Sequence, residues 1–232
     1  MNNQVSENPQ VSMVPTFHEL INTPFLQPIN AICWQRNLVG DFREIVSKLE
    51  LRDDLTNVSV DELLNLSLTD NGELARNIIL EDLRLLSDAG ASPSLNLIKN
   101  YERDTGLDFI STDVYSYHVD RSPVETATFL CTYYGATSDI LPNDQAEQKI
   151  LNPEIRLKLK QLFDGAEIGF ENFLSENFFD LHYLQKPGAN PYNLGLGSLW
   201  KLAVDHPGQV VLPCIHRAPI ENHGEYRLLL IC

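Results

Sequence analysis

The chain of 232 residues changes its sequence pattern near Gly106, and this change constrains the fold more than any other feature. Before it, helical signals dominate. Ser59-Val60-Asp61-Glu62 matches a capping box, and apolar side chains recur at helical spacing over residues 75–86. Ser92-Pro93 is typical of the start of a further helix that ends near Gly106. We therefore expect residues 16–106 to form a mainly helical support.

After Gly106 the sequence favours strands. Five segments are rich in β-branched, aromatic or other apolar residues, as expected for strands that are at least half buried. An order of helices first and antiparallel strands later predicts an α+β fold with residues 107–232 as its β core. The predicted strands are Phe109–His118, Thr126–Tyr134, Leu199–Val204, Gln209–Ile215 and Tyr226–Ile231.

Composition and charge narrow the class of protein. Hydrophobic residues make up 43% of the chain and charged residues 21%, which is typical of a globular protein. We expect one domain over residues 16–232, preceded by a mobile polar tail over residues 1–15. The formal net charge of −15 disfavours nucleic acid as a partner, because that affinity comes largely from Lys and Arg.

The predicted localisation follows from the absence of targeting and membrane-spanning patterns in the sequence. It contains no secretory signal pattern, and no apolar run approaches the roughly 18 residues that cross a bilayer. The 4 cysteines are scattered and form no Cys-x-x-Cys pair, so neither a disulfide framework nor a zinc ribbon is expected. These features predict a cytoplasmic protein with no membrane partner. The sequence does not indicate an oligomeric state.

The residues that could bind a metal are His118, Asp120 and His216. His118 and Asp120 follow a predicted strand, and strand side chains alternate with period two, so both project to the same side. His216 ends another predicted strand and supplies a second imidazole. Two histidines and one carboxylate with open positions form the facial triad that is typical of non-haem Fe(II) sites.

Arg227 begins the last predicted strand, and ten residues separate it from His216. A hairpin of this length places a guanidinium beside the metal, where its planar fork can bind a carboxylate through two parallel hydrogen bonds. The apolar run that follows Arg227 predicts a buried strand, and a buried Arg needs an anionic partner. That partner is either a ligand carboxylate or a protein carboxylate such as Glu225 or Asp205.

Together, His118-x-Asp120, the distant His216 and Arg227 resemble the signature of the Fe(II)- and 2-oxoglutarate-dependent oxygenases. The resemblance covers about the last half of the chain. It implies a double-stranded β-helix, or jelly-roll, core. It also implies that His118, Asp120 and His216 hold the iron, that Arg227 binds the distal carboxylate of 2-oxoglutarate, and that O2 and a small organic substrate react there.

The chain also resembles a bacterial family of unknown function, some of whose members lie in zinc-responsive gene neighbourhoods. That family has an Arg before the Leu-Cys-Thr-Tyr run and a Gly-Pro-Gly-Thr turn after it. This chain has Ala127-Thr128-Phe129 and Gly135-Ala136-Thr137-Ser138 there, so the resemblance implies the metal positions but not a shared substrate. The segments that carry the resemblance are His118-Val119-Asp120, Leu130-Cys131-Thr132-Tyr133-Tyr134-Gly135, His216-Arg217-Ala218-Pro219 and Arg227-Leu228-Leu229-Leu230.

Three interpretations remain open at this stage. The first is an Fe(II)- and 2-oxoglutarate-dependent oxygenase. The second is a zinc protein that uses the same pocket, either in metal homeostasis or in hydrolysis, since zinc also accepts His and carboxylate ligands. The third is a β-barrel interaction protein in which these residues are structural. We expect the other histidines of this region, His182, His206 and His223, to lie at the surface.

Overall fold

The computed structural model describes residues 8–232. It has a mixed α+β fold with two β-sheets, one of them curled into a half-barrel. No helix within the described residues is long and apolar enough to cross a membrane. The α-helices are α1 Phe17–Asn22, α2 Phe42–Lys48, α3 Val60–Leu64, α4 Asp70–Asp88, α5 Pro153–Leu162 and α6 Phe170–Glu176.

The larger sheet has seven strands and draws on both halves of the chain. All neighbouring strands are antiparallel except the first pair, which is parallel. In spatial order its strands are β1 Val11–Val14, β2 Ala31–Trp34, β11 Leu199–Ala203, β6 Ala127–Tyr134, β13 Arg227–Ile231, β4 Ser94–Ile98 and β3 Leu55–Val58.

The smaller sheet has six short strands, all from the second half of the chain. Every neighbouring pair is antiparallel. In spatial order its strands are β10 Tyr192–Asn193, β7 Asp139–Ile140, β12 His216–Arg217, β5 Tyr117–His118, β9 His182–Gln185 and β8 Ala146–Gln148.

The larger sheet buries both of its faces. One face packs against the helices, with Leu228 and Leu230 of β13 in the same apolar cluster as Ile79 of α4. The other face belongs to a second apolar cluster, in which Leu229 of β13 meets Ile140 of the smaller sheet. Because strand side chains alternate, consecutive residues of β13 contribute to the two different clusters. The second cluster therefore lies in the interior between the two sheets.

The predicted helical support over residues 16–106 is not what the structure shows. Helices α1 to α4 are present, but the same segment contributes β2, β3 and β4 to the larger sheet. Ser92-Pro93 leads into strand β4 instead of a helix. The run Leu95-Asn96-Leu97-Ile98 is short, and a short apolar run fits a buried strand as well as a helix.

Part of the segment predicted as a mobile tail is a strand. Within the predicted tail of residues 1–15, Val11–Val14 form β1, which pairs with β2 at the edge of the larger sheet. Residues 1–7 lie outside the described part of the chain. The backbone hydrogen bonds to β2 explain why a polar segment can still be ordered.

The capping box at Ser59 is confirmed. The Ser59 hydroxyl accepts a hydrogen bond from the Glu62 backbone N–H at 3.2 Å, and the Glu62 carboxylate accepts one from the Ser59 N–H at 2.7 Å. These two contacts satisfy two backbone donors that a helix start leaves free. Helix α3 is nonetheless short and ends at Leu64.

Three of the five predicted strands are confirmed as β6, β11 and β13, with ends that differ by one residue. Of Phe109–His118, only the last two residues form a strand, β5. Gln209–Ile215 forms no strand, and β12 begins one residue later. In this segment the Pro213 carbonyl accepts a hydrogen bond from the Asn143 side chain at 3.0 Å, where a strand would accept one from the backbone of a neighbouring strand.

Candidate metal centre

The three predicted metal ligands meet at one place in the smaller sheet. His118 ends β5, Asp120 follows two residues later, and His216 begins β12. Because β12 and β5 pair with His216 directly opposite His118, both imidazoles lie on one face of the sheet. One ligand atom from each of the three residues lies within 4.8 Å of the others, which is close enough to hold a metal ion.

The distances within the cluster are similar on both sides of the carboxylate. His118 Nε2 lies 3.8 Å from one Asp120 oxygen, and His216 Nε2 lies 3.7 Å from the other. The centroids of the two imidazole rings are 4.6 Å apart. Both Nε2 atoms therefore point to the same side of Asp120.

Backbone carbonyls fix the orientation of both imidazoles. His118 Nδ1 lies 2.8 Å from the Ser116 carbonyl, and His216 Nδ1 lies 3.2 Å from the Cys214 carbonyl. A carbonyl oxygen only accepts, so each Nδ1 carries the proton and each Nε2 keeps its lone pair. A hydrogen bond of this kind on the far ring nitrogen is typical of metal-ligating histidines.

Electrostatics favour the protonation states that a metal needs. Burial and, to a smaller extent, the nearby His216 lower the pKa of His118 to about 4, so the imidazole is neutral at pH 7. Burial alone would raise the pKa of Asp120. However, His216, a hydrogen bond from Thr128 and His118 together bring that pKa below its ordinary value. The site thus presents a neutral His118 imidazole and an ionised Asp120 carboxylate.

Thr128 of β6 orients the carboxylate ligand from the larger sheet. Its hydroxyl donates a hydrogen bond to Asp120 Oδ2, so the two sheets meet at this contact. Sequence analysis did not identify Thr128, because nothing local marks a threonine on a distant strand as a partner of Asp120. The contact makes Thr128 a positioning residue for the metal centre.

Replacing Thr128 with valine is expected to weaken metal binding about tenfold or more, within the range for loss of an outer hydrogen bond to a metal ligand. Valine keeps the shape of the side chain but cannot donate to Asp120. Affinity is measured by competition with a chromophoric chelator. The matched control is Thr132→Val on the same face of β6, which should leave metal affinity unchanged. Equal affinities in the two variants would contradict the role of Thr128.

A cavity of about 300 Å³ opens beside the triad. His118 and Asp120 line it, together with His182, which we had predicted to lie at the surface. That prediction was wrong, since His182 is only 4% exposed and pairs directly with His118 across β5 and β9. Its aromatic-rich surroundings gave no clear strand pattern. His223, by contrast, is exposed.

Arg227 is fully buried, as its place in an apolar strand predicted, and it is 2% exposed. Its guanidinium donates hydrogen bonds to three hydroxyls: Ser138 at 2.8 Å, Thr132 at 3.0 Å and Tyr101 at 3.3 Å. Among residues 8–232, no carboxylate lies within ion-pairing distance of it, and its Nε has no partner. Burial accordingly lowers the pKa of Arg227.

The two protein carboxylates considered as partners for Arg227 are engaged elsewhere. Asp205 pairs with Arg121 at 2.7 Å. Glu225 is exposed and accepts a hydrogen bond from Asn222 at 2.8 Å. The guanidinium charge is thus left without a protein anion within ion-pairing distance in the described part of the chain.

Strand β6 relates Arg227 to the triad. Thr128 contacts Asp120 and Thr132 contacts Arg227, and both threonines lie on the face of β6 that looks into the interior between the sheets. Thr132 lies four positions after Thr128, which is about 13 Å along the strand at the usual rise per residue. Arg227 and the triad therefore face the same interior from two sheets.

Comparisons with protein-family models, with curated protein sequences and with solved structures find no match for this chain.

Proposed function

We propose that the protein is a non-haem Fe(II)- and 2-oxoglutarate-dependent oxygenase that oxidises a small organic molecule. The observation that carries the proposal is the combination of the triad with Arg227, a buried guanidinium in the same interior that has only hydroxyl partners. A metal site alone would fit many functions. A buried guanidinium with no carboxylate within ion-pairing distance among residues 8–232 points to a ligand that brings its own carboxylate.

The residues present fit an iron ion. His118, Asp120 and His216 supply two imidazole nitrogens and one carboxylate oxygen, a set that leaves coordination positions open for further ligands. Bound iron would supply the oxidising chemistry, with O2 and 2-oxoglutarate as co-reactants. The protein's own contribution is to hold the ligands in the correct protonation state and to orient the reactants.

The course of the chain supports the double-stranded β-helix that the family resemblance implies. From β4 to β7, successive strands alternate between the larger and the smaller sheet, and from β10 to β13 they alternate again. Alternation of this kind between two sheets is what a jelly roll requires.

Arg227 is suited to bind the distal carboxylate of 2-oxoglutarate. A planar guanidinium can donate two parallel hydrogen bonds to a carboxylate, and burial strengthens that pairing. A charge without a partner in the protein costs stability, and a ligand carboxylate would offset that cost. Ser138, Thr132 and Tyr101 hold the side chain in place until the ligand arrives.

The test is an anaerobic titration of the metal-free protein with Fe(II) and then with 2-oxoglutarate. We expect the weak visible absorption band of a 2-oxoacid chelated to iron. Arg227→Met should keep iron but weaken 2-oxoglutarate binding about a hundredfold, since a charge-assisted pair contributes roughly 1.5 to 3 kcal/mol or more when buried. The control is Arg84→Met, an arginine on the exposed face of α4.

The free energy of unfolding distinguishes an Arg227 that binds a ligand from an Arg227 that stabilises the fold. If its charge has no partner in the protein, Arg227→Met should unfold no more easily than the parent protein without ligand. A loss of several kcal/mol would instead mark Arg227 as structural. Tight Zn(II) binding without any 2-oxoglutarate band would reject the oxygenase in favour of a zinc protein or a zinc-dependent hydrolase.

A further inference from the structure

Three histidines lie in a row across adjacent strands of the smaller sheet. His216 of β12 is opposite His118 of β5, and His118 is opposite His182 of β9. Directly opposed residues share a face, so the His182 imidazole lies on the same side as the metal ligands. It belongs to the wall of the 300 Å³ cavity but not to the cluster of metal ligands.

The hydrogen bonds of His182 differ from those of His118. His182 Nδ1 lies 3.1 Å from the Ser116 hydroxyl, and that hydroxyl accepts a hydrogen bond from Lys149 Nζ at 2.7 Å. The single hydroxyl proton of Ser116 can go to His182 Nδ1 at 3.1 Å or to the more distant Tyr117 carbonyl at 3.4 Å, and we assign it to Nδ1, the nearer acceptor. Nδ1 then accepts, and Nε2 carries the proton.

This protonated Nε2 has no hydrogen-bond partner within residues 8–232, although His182 is 96% buried. The Nε2 atom retains some accessible surface, and because His182 lines the cavity, this surface faces the cavity. His118 thus offers a lone pair to a metal, whereas His182 offers a hydrogen-bond donor a short distance away. A donor that faces a cavity in this way can be satisfied by an acceptor atom of a bound molecule.

Phe178 also lines this cavity. It follows α6 with a φ of 60°, a backbone conformation that costs an aromatic residue energy, and its side chain is 57% exposed. Phe178 and Arg121 also line a second hollow of about 550 Å³, whose wall includes Pro123 and Pro207. An apolar surface therefore continues outward from the metal cavity.

Arg121 between the two hollows does not offer a free charge. It pairs with Asp180 at 2.6 Å and with Asp205 at 2.7 Å. Two carboxylates on one guanidinium leave no net positive charge to attract an anion. The apolar contacts available to a ligand in the cavity come from Phe178, Val114 and Leu181, and Thr112 and Asp113 also line it.

We propose that these hollows bind the organic substrate of the proposed oxygenase, a molecule with a hydrogen-bond-accepting oxygen on an apolar body. The acceptor oxygen lies at His182 Nε2, and the apolar body lies against Phe178 and extends towards the second hollow. That the bound molecule is oxidised rests on the proposed function, whereas its binding to this site does not. His182 and Phe178 are then substrate-contacting residues outside the metal cluster.

The test uses the full chain without metal, because a carboxylate probe would otherwise coordinate the ion. Benzamide and benzoate carry an acceptor oxygen on an aromatic ring, the first neutral and the second anionic. Aniline keeps the ring but its nitrogen is a poor acceptor. Chemical-shift titrations by NMR should show benzamide, benzoate or both binding at least about tenfold more tightly than aniline. Equal binding of all three probes overturns the proposal.

Variants of His182 test the donor. His182→Leu should weaken the better probe about fivefold to tenfold, and His182→Gln, which keeps a donor, should restore most of the binding. Nitrogen-15 NMR of the imidazoles should show a proton on Nε2 of His182 and on Nδ1 of His118. An unchanged affinity in His182→Leu, or a proton on Nδ1 of His182, overturns the proposal.

Phe178→Gly tests the apolar end with little risk to the fold, because glycine adopts a φ of 60° readily. This variant should weaken benzamide and aniline by a similar factor of about three, since both share the ring. Unchanged binding of both probes overturns the assignment of Phe178. Because neither iron nor 2-oxoglutarate is used, a missing band in the iron titration would reject the proposed reaction and leave this binding test unaffected.

Discussion

Replacing His216 with alanine is expected to abolish metal retention, with a loss in Fe(II) or Zn(II) affinity of more than about a hundredfold. A hundredfold is the largest usual loss when a residue that only hydrogen-bonds to a metal ligand is removed. His216 is itself a ligand in the proposed site, so its removal should cost more. His118→Ala should have the same effect, because each Nε2 lies less than 4 Å from the Asp120 carboxylate. Full iron occupancy in His216→Ala would reject the triad.

Thermal unfolding with and without metal gives a second measurement of the same site. A ligand that binds only the folded state stabilises it by about 2.7 kcal/mol at a concentration of 100 times Kd. Metal should therefore raise the unfolding temperature of the parent protein but not that of His216→Ala. Asp120→Asn serves as a variant that keeps the size of the ligand, so a loss of metal there is not explained by a cavity.

Two histidines make suitable controls. His182→Ala changes a buried histidine beside the triad, and His223→Ala changes an exposed one. Both should retain metal. If His182→Ala lost metal as completely as His216→Ala, His182 would be a ligand and its Nε2 could not serve a substrate.

The triad could be predicted because much of its geometry is local. Alternation along a strand places His118 and Asp120 on one side, and the structure keeps that relation even though β5 is only two residues long. The burial of Arg227 was also predictable, since the apolar run after it has the character of a central strand. Local patterns thus identified the candidate metal ligands and the buried arginine.

The partners of those residues could not be predicted, because they come from strand pairing between distant segments. The register that sets His216 opposite His118 joins residues nearly a hundred positions apart. The same holds for Thr128 beside Asp120 and for the hydroxyls around Arg227. Spacing along a chain carries no information about such pairs, and only the three-dimensional register determines them.

The contribution of residues 16–106 to the larger sheet could not be predicted for a related reason. β4 is a short apolar run, which fits a helix or a buried strand equally well until its neighbours are known. It becomes a strand because β13 and β3 pair with it on both sides. The amino-terminal segment therefore provides part of the sheet that holds Arg227, in addition to the helices that cover it.

Replacing Asp82 with alanine is expected to lower the free energy of unfolding by about 3 to 5 kcal/mol, the usual cost of leaving a buried charge without its partner. Asp82 of α4 accepts two hydrogen bonds from Arg36, at 2.6 Å and 2.8 Å. It also accepts one from the Tyr133 hydroxyl at 2.7 Å. Chemical denaturation of metal-free protein measures the loss.

The matched control is Asp88→Ala on the same helix. Asp88 pairs with Arg84 at the surface, with its side chain 64% exposed, so solvent already screens the interaction and a small effect is expected. A double variant, Arg36→Leu with Asp82→Leu, removes both charges and should recover much of the lost stability. A loss as small in Asp82→Ala as in Asp88→Ala would contradict the role of the buried pair.

This pair also bears on the metal centre, because Tyr133 lies on β6. Its ring stacks on Phe42 of α2 and its hydroxyl binds Asp82, on the face of the sheet that the helices cover. Thr128, on the opposite face of the same strand, holds Asp120. If Asp82→Ala loosens this strand, metal affinity should fall together with stability, whereas Asp88→Ala should change both little, since Asp88 pairs with Arg84 at the surface.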